Sequence, residues 1–569
     1  MPGKFAVLVG LVGSGLVGAA PADSPPPATL VLTNANVHTL AEKSAHAQAL
    51  CIDRDRITFV GSSREASQCG GGKARTIDLR GATVVPGWID AHYHLSGVGW
   101  REMRLNLEGT PGAAAMAQAV REHVAKSRPG DWIVGRGWIE THWKPAAFPT
   151  RALLDPLSPQ NPVILERADG HASLVNSAAL KLAGIDASTK DPAGGRILRD
   201  EKGEPTGMLI DRAVDLVSER MPRPTEEQER QALKLAEERS LSLGLTMIQD
   251  AGRTGEGEYA DFAEIDRLRA LYRAGSYRLR VYKSVVGPGA GAEKLMREGA
   301  LQDADGRLTV RTIKLQIDGA LGSRGAALLE PYSDEPSTRG LFRIDDATLQ
   351  PLLAAALRSG IQVEAHAIGD LANRHTLDLF QAAFRAVPPA ERKVADPRWR
   401  IEHAQVVNPA DRIRFRELGV IPSMQPSHAI SDLYFAPARL GPKRLEGAYS
   451  WRSFVELGLP VAGGSDAPVE RGEPMIEYYA AVARKDLEGR SGEGWHPEQA
   501  VNRLDALRMF TMWPAYAAFQ EKERGSIEPG KVADLTVLSA DILEIPAPQI
   551  LETRALMTIV GGEVVYRAP

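Results

Sequence analysis

Eight apolar runs spaced along the chain constrain it more than any other feature. They lie at 83–92, 245–250, 277–285, 308–317, 361–366, 399–403, 420–424 and 459–466. Apolar runs of this length mark strands covered on both faces, and the stretches between them are long enough for helices. Eight such units predict an α/β fold built on a (β/α)8, TIM-like barrel. One helix is explicit between the fourth and fifth strands, where Leu349, Leu352, Leu353, Ala356 and Leu357 follow the i, i+3, i+4 spacing. Asp345 or Asp346 is available to cap its start and Gly360 its end.

The two ends of the chain read differently. "ATLVLTNANVHTL", "AQALCIDRDRITFVG" and "ARTIDLRGATVVPG" near the start, and "ADLTVLSAD" and "ETRALMTIVGGEVVYR" near the finish, are short alternating runs separated by turn residues. They predict a small composite β-sandwich from residues 28–86 and 525–569, with the barrel over 87–524. The interval at about 97–223 is far too long for a βα connection and is expected to be an insertion with its own structure, above the first strand's C-terminal end.

Residues 1–20 read as a secretory leader: Lys4, an apolar stretch and a small-residue site near Ala20, ahead of a Pro-rich spacer. That stretch, about 16 residues, falls short of the ~20 a membrane span requires, so the mature chain is expected to have no span and to be periplasmic or secreted. Cys51 and Cys69 are the only cysteines; in an oxidising compartment they can be bridged, and their spacing alone does not decide it. A net charge of -4 with no basic stripe argues against nucleic acid as a partner. A small molecule is the expected partner, with a homodimer left open.

Chemistry gathers at the strand ends. His92 and His94 stand at i and i+2, so on an extended strand both rings face one side. A lone His-x-His is more often a hydrogen-bonded pair than a metal site. Lys314 on the fourth strand, His366 ending the fifth, His403 ending the sixth and Asp466 ending the eighth add four more polar groups on the same rim. Six such groups on one buried face carry a heavy desolvation cost unless cations share them. Imidazoles and a carboxylate without thiolate favour zinc or a similar divalent metal, and two ions are expected. Lys314 fits between two cations only if its neutral amine takes up carbon dioxide to become an anionic carbamate.

"DAHYHL", "DGHASLVNSAAL", "IKLQIDGALGSRGAAL", "EAHAIGDLANRHTLDLF", "RIEHAQVVNPADRIRFRELGVIPSMQPSHAISD", "GGSDAPVE" and "GSIEPGKVADLTVL" together resemble amidohydrolase family 3 of the metal-dependent amidohydrolase superfamily, across nearly all of the mature chain. Such proteins are similar to N-substituted formamide deformylases and related amide hydrolases. The resemblance implies that His92 and His94 hold the more buried ion, carboxylated Lys314 bridges, and His366 with His403 holds the second. Asp466 would bind the first ion and shuttle protons while a metal-activated hydroxide attacks an amide, N-formyl or N-acyl carbonyl. Gly325 stands where threonine is common.

Other positions carry two readings each. His171 and His428 are candidate substrate contacts or hydrogen-bonded loop histidines; Arg324 can pair with a substrate carboxylate or form a surface ion pair; Asp370 reads most simply as a helix cap. Trp138, Trp143, Tyr332, Tyr434 and Trp451 are core residues or an aromatic pocket. Competing functions are a lactonase or esterase, a ligand-binding barrel, and a mononuclear ring aminohydrolase. The aminohydrolase places a glutamate three residues after the fifth-strand histidine, where this chain has Gly369.

Overall fold

The computed structural model describes residues 26–42, 44–140, 143–167, 172–192, 195–253, 260–303 and 305–569; the leader predicted at 1–20 lies outside them. Eight parallel strands form one nearly closed barrel in sequence order: β1 (Trp88–Tyr93), β2 (Leu245–Asp250), β3 (Arg280–Val286), β4 (Leu308–Gln316), β5 (Gln362–Ala367), β6 (Arg400–His403), β7 (Ile421–Met424) and β8 (Ala462–Gly463). β1 and β8 meet through a parallel bridge between Tyr93 and Ala467. The predicted helix spans Asp346–Ser359; the Asp345 side chain accepts from Thr348 N–H, and Gly360 ends it in the left-handed region that glycine adopts freely.

Two expected strands are shorter than their apolar runs. The run at 83–92 divides at Gly87: Thr83–Pro86 pairs with Leu535–Leu538 from the far end of the chain, and only Trp88–Tyr93 enters the barrel. A Cβ on Gly87 would lie 2.3 Å from Thr246 Oγ1, so the crossing between the two sheets is tight enough to require glycine. At 459–466 only Ala462–Gly463 pairs with β7. Pro460 has no N–H to give a ladder, and the rest of that run closes the barrel by isolated bonds.

Both chain ends build two further sheets. Leu30–Thr33, Ala49–Asp53, Arg56–Gly61 and Arg75–Asp78 form a four-stranded sheet; Asn36–His38, His46–Ala47 and Thr83–Pro86 join three C-terminal strands in a six-stranded one. Leu32, Val37, Leu50 and Ile52 pack with Leu535, Val537 and Ile559 in one buried core between them. Cys51 and Cys69 are joined by a disulfide within the N-terminal sheet and its flanking turn. A third sheet of six strands, Leu105–Asn106 to Pro205–Asp211, lies in the interval between β1 and β2.

Beneath the mouth, a buried ion cluster holds the ends of β2 and β3. Lys283 is fully buried, with Nζ 2.8 Å from Asp250, 2.9 Å from Asp261 and 3.1 Å from Glu264. Asp250 also accepts from the Gly252 and Leu95 amides, tying β2 to α1 (Leu95–Met103), which begins directly after His94. Such a cluster tolerates loss of one sign poorly, because the remaining charges are buried without compensation. Lys283→Met is expected to cost about 3–5 kcal/mol, read as a fall in the urea midpoint; a loss below ~1 kcal/mol would show that the three carboxylates re-pair elsewhere.

Candidate metal centre

The seam between β1 and β8 builds the first half of the site. Asp466 donates its N–H to His92 C=O at 2.7 Å, and His94 donates to Ala467 C=O at 2.8 Å. Asp90 staples the seam: Oδ1 accepts from the His92 and Ser465 amides at 3.1 and 3.0 Å, and Oδ2 accepts from Ser465 Oγ at 2.6 Å. Burial pushes this carboxyl up to about 7 despite those bonds.

With the seam closed, Asp466 Oδ1 lies 3.1 Å from His94 Nε2 and 3.5 Å from His92 Nε2, and Lys314 Nζ lies 3.1 Å from His92 Nε2. The His92 ring centroid is 4.9 Å from that of His403, which is 4.5 Å from that of His366. All six sequence-selected ligand candidates therefore meet at the C-terminal mouth. Asp466 Oδ1, His366 Nε2 and His428 Nε2 are buried and have no hydrogen-bond partner. Orphaned buried polar atoms are costly, and three in one cluster of imidazoles and a carboxylate fit a divalent cation with nitrogen and oxygen ligands.

The opposite ring nitrogens are occupied, which fixes the ring orientations. His92 Nδ1 bonds Glu402, His94 Nδ1 faces Gly252 C=O at 3.3 Å, and His403 Nδ1 faces Gln425 Oε1 at 2.8 Å. Each ring thus turns Nε2 to the common space, the arrangement in which an outer partner sets tautomer and ligand basicity. Burial, with Lys314 next, holds His366 down to about 3; burial with neighbouring His366 and His92 holds His403 well below its usual value. Both rings are neutral near pH 7 and free to donate a lone pair. Burial opposes ionisation of Asp466, but the surrounding imidazoles outweigh it and keep the group well below the usual carboxylate range.

The other sequence-selected positions fall out as follows. His171 lies outside the described residues. His428, on α2 (Pro426–Asp432), joins the cluster: its Nε2 is 3.6 Å from Asp466 Oδ2 and its ring stacks on His403. Arg324 pairs with Asp334 at 2.9 Å, and Arg439 shares that carboxylate. Asp370 is not the cap: Gly369 holds the cap position, and the Asp370 carboxylate accepts from Leu329 N–H at 2.8 Å, because the preceding loop packs closely enough to claim it. Trp138, Trp143, Tyr332 and Trp451 are buried in the core, and Tyr434 lines a cleft of about 210 Å³ beside α2.

Four supporting residues escape sequence reasoning: Asp90, Asp318, Glu402 and Gln425. Asp318 accepts from Ala327, Ile368 and Gly369 amides at 2.9, 3.0 and 2.9 Å, joining the loops after β4 and β5 beside His366. Glu402 is held below the carboxylate range: burial opposes this, and Arg400 and His92 overcome it. Its place inside an apolar strand was the available signal, since a buried charge there requires a partner.

Imidazoles, a lysine and a carboxylate at the C-terminal ends of a parallel barrel define a barrel hydrolase. The chain belongs to the amidohydrolase family, whose sequence pattern matches residues 75–566. It is 34% identical to the protein LONG AFTER FAR-RED 3 of Arabidopsis thaliana over 95% of this chain and 92% of that one. It is 29% identical to the N-substituted formamide deformylase of Arthrobacter pascens, over 94% and 98%. Among solved structures, an uncharacterized metal-dependent hydrolase from Pyrococcus furiosus superposes with a TM-score of 0.72 at 27% identity, covering 90% of this chain and all of that one.

Glu402→Gln removes the anionic partner of His92 while keeping its size. Metal affinity is expected to fall about 10–100-fold, measured by chelator competition on the folded variant; unchanged affinity would mean that Glu402 serves the barrel core alone.

Proposed function

We propose that the protein is an exported hydrolase that cleaves a C–N bond of amide, N-formyl or N-acyl type in a small molecule. One observation carries this reading: an ionised carboxylate, Asp466, whose Oδ1 has no hydrogen-bond partner and faces the Nε2 atoms of His92 and His94. Similarity to an N-substituted formamide deformylase along nearly the whole chain supports the choice of bond.

His92, His94 and Asp466 would hold one divalent ion, His366 and His403 a second, and Lys314, carboxylated on its amine, would sit between them; zinc suits this donor set. Such ions supply a Lewis acid for the scissile carbonyl and acidify water to a pKa of about 7. The chain's own part is proton traffic and orientation. The Asp466 carboxylate takes a proton from water and returns it to the leaving nitrogen, a transfer worth about 10² to 10⁴ in rate. Glu402, Gln425 and Gly252 keep the three rings from turning away during that exchange.

The aminohydrolase alternative needs an acid at position 369. A Cβ there would lie 1.9 Å from Ala327 C=O, so a glutamate cannot be accommodated without displacing that loop. Esters and lactones present the same carbonyl and form the comparison arm of the test.

Metal-loaded protein is expected to turn over N-formyl and N-acyl amides at least tenfold faster than matched esters and lactones, compared by kcat/KM. Asp466→Asn should lower kcat by about 10² to 10⁴. Faster lactone or ester turnover would replace this reading with the competing one.

Export rests on the leader-like residues 1–20 and on the Cys51–Cys69 bridge, which suits an oxidising compartment. Protein taken from its native compartment should show no titratable thiol before reduction and two after it; free thiols before reduction would argue for a reducing location.

A further inference from the structure

We propose that His428 is a metal ligand: together with His403 and Asp466 Oδ2 it forms a cation position opposite the one at His92, His94 and Asp466 Oδ1, so that a single carboxylate is shared by two ions. This rests on the reading of the cluster as a metal centre and goes beyond it, since it gives His428 a ligand's place instead of a substrate contact and gives the ions a second bridge besides Lys314.

Three observations carry it. First, the two oxygens of Asp466 address different imidazoles: Oδ1 lies 3.1 and 3.5 Å from His94 and His92, whereas Oδ2 lies 3.6 Å from His428. Second, one ligand atom each from His403, His428 and Asp466 lies within 4.8 Å of the others, all three residues being buried; the His92, His94 and Asp466 set meets the same distance condition, with His94 half-buried. Metal–ligand bonds of about 2.0–2.2 Å bring ligand atoms on one zinc ion roughly 3–4 Å apart, so these separations need little adjustment to close on a cation. Third, His428 Nε2 is buried with no hydrogen-bond partner, an orphaned nitrogen 3.6 Å from Asp466 Oδ2.

The surroundings favour a fixed ligand over a yielding substrate contact. Gln425, Pro426, Ser427 and His428 form one short unit leaving β7. Gln425 orients His403 through Nδ1, and Ser427 N–H donates to the buried Glu477 at 2.9 Å, pinning the first turn of α2. The same unit therefore sets one imidazole of the position and contributes another. His428 is 8% exposed and its ring lies nearly parallel to that of His403, at 18° and 5.8 Å. Rigid, pre-oriented donors are what a metal position requires.

The test uses the full-length protein, stripped and reloaded with Co²⁺ or Zn²⁺, and reads metal per chain, affinity by chelator competition and the cobalt absorption spectrum. His428→Ala and His428→Gln are compared with wild type, with thermal unfolding of the metal-free proteins as the fold control. The expected result is two ions in wild type and one in each variant, with second-ion affinity lowered at least tenfold and partly restored to His428→Ala by added imidazole. Variants that keep both ions with unchanged affinity and spectrum would overturn the proposal. If wild type holds a single ion, an altered cobalt spectrum in the variants supports it and an identical one overturns it. Failure of the Lys314-bridged reading shows separately, as Lys314→Ala retaining two ions and full turnover of the amide panel.

Discussion

The site depends on the seam where the barrel closes. β8 is only two residues long, so the last neighbour of β1 is not a ladder but a few bonds: Asp466 N–H to His92, His94 N–H to Ala467, and the Asp90 carboxylate gripping Ser465. Each of these bonds involves a ligand candidate or its immediate neighbour. Closing the barrel and assembling the centre are therefore one event. Asp466 reaches its place with φ at +61°, and His403 with φ at +73°, conformations that cost a residue with a Cβ roughly 1–3 kcal/mol and persist only where surrounding contacts impose them. The rest of the barrel supplies that imposition.

Electrostatics make the same point from the other side. Lys314, Arg400, Glu364 and Glu402 are all buried within the barrel, and Arg400 pairs with both glutamates. Above them, His366 and His403 are neutral and Asp466 is ionised. A buried carboxylate whose nearest partners are mainly imidazoles is under-compensated, and a cation is the simplest completion. The barrel interior thus orients the rings from below and leaves the positive charge to be supplied from the mouth.

Much of this was legible in the chain itself, for a physical reason. Polar side chains at the ends of apolar strands stand out against their background, and barrel geometry gathers all strand ends on one rim; that suffices to select His92, His94, Lys314, His366, His403 and Asp466. What stayed hidden depends on departures from regular geometry. Adjacent residues on a strand face opposite sides, so Glu402 beside His403 reads as pointing away from the site. The positive φ of His403 and Ala404 ends that alternation, and the side chains of Glu402 and His403 both reach the centre. Asp90 and Asp318 act through backbone amides distant in sequence, which leave no pattern in composition or spacing. The division of the first strand at Gly87 is similar, since its cause is the proximity of Thr246.

The interval between β1 and β2 gains its meaning from where it is fastened. Arg136, on a strand of its sheet, donates to Pro468 C=O at 3.1 Å; Arg101 on α1 donates to Glu470 and Arg471 carbonyls at 3.0 and 3.1 Å. All three acceptors lie on the segment directly following Asp466. Carbonyl acceptors hold the backbone and not a side chain, so these bonds fix the path of the segment whatever its sequence presents toward the mouth. A change in the inserted sheet is thereby transmitted to the loop that follows Asp466.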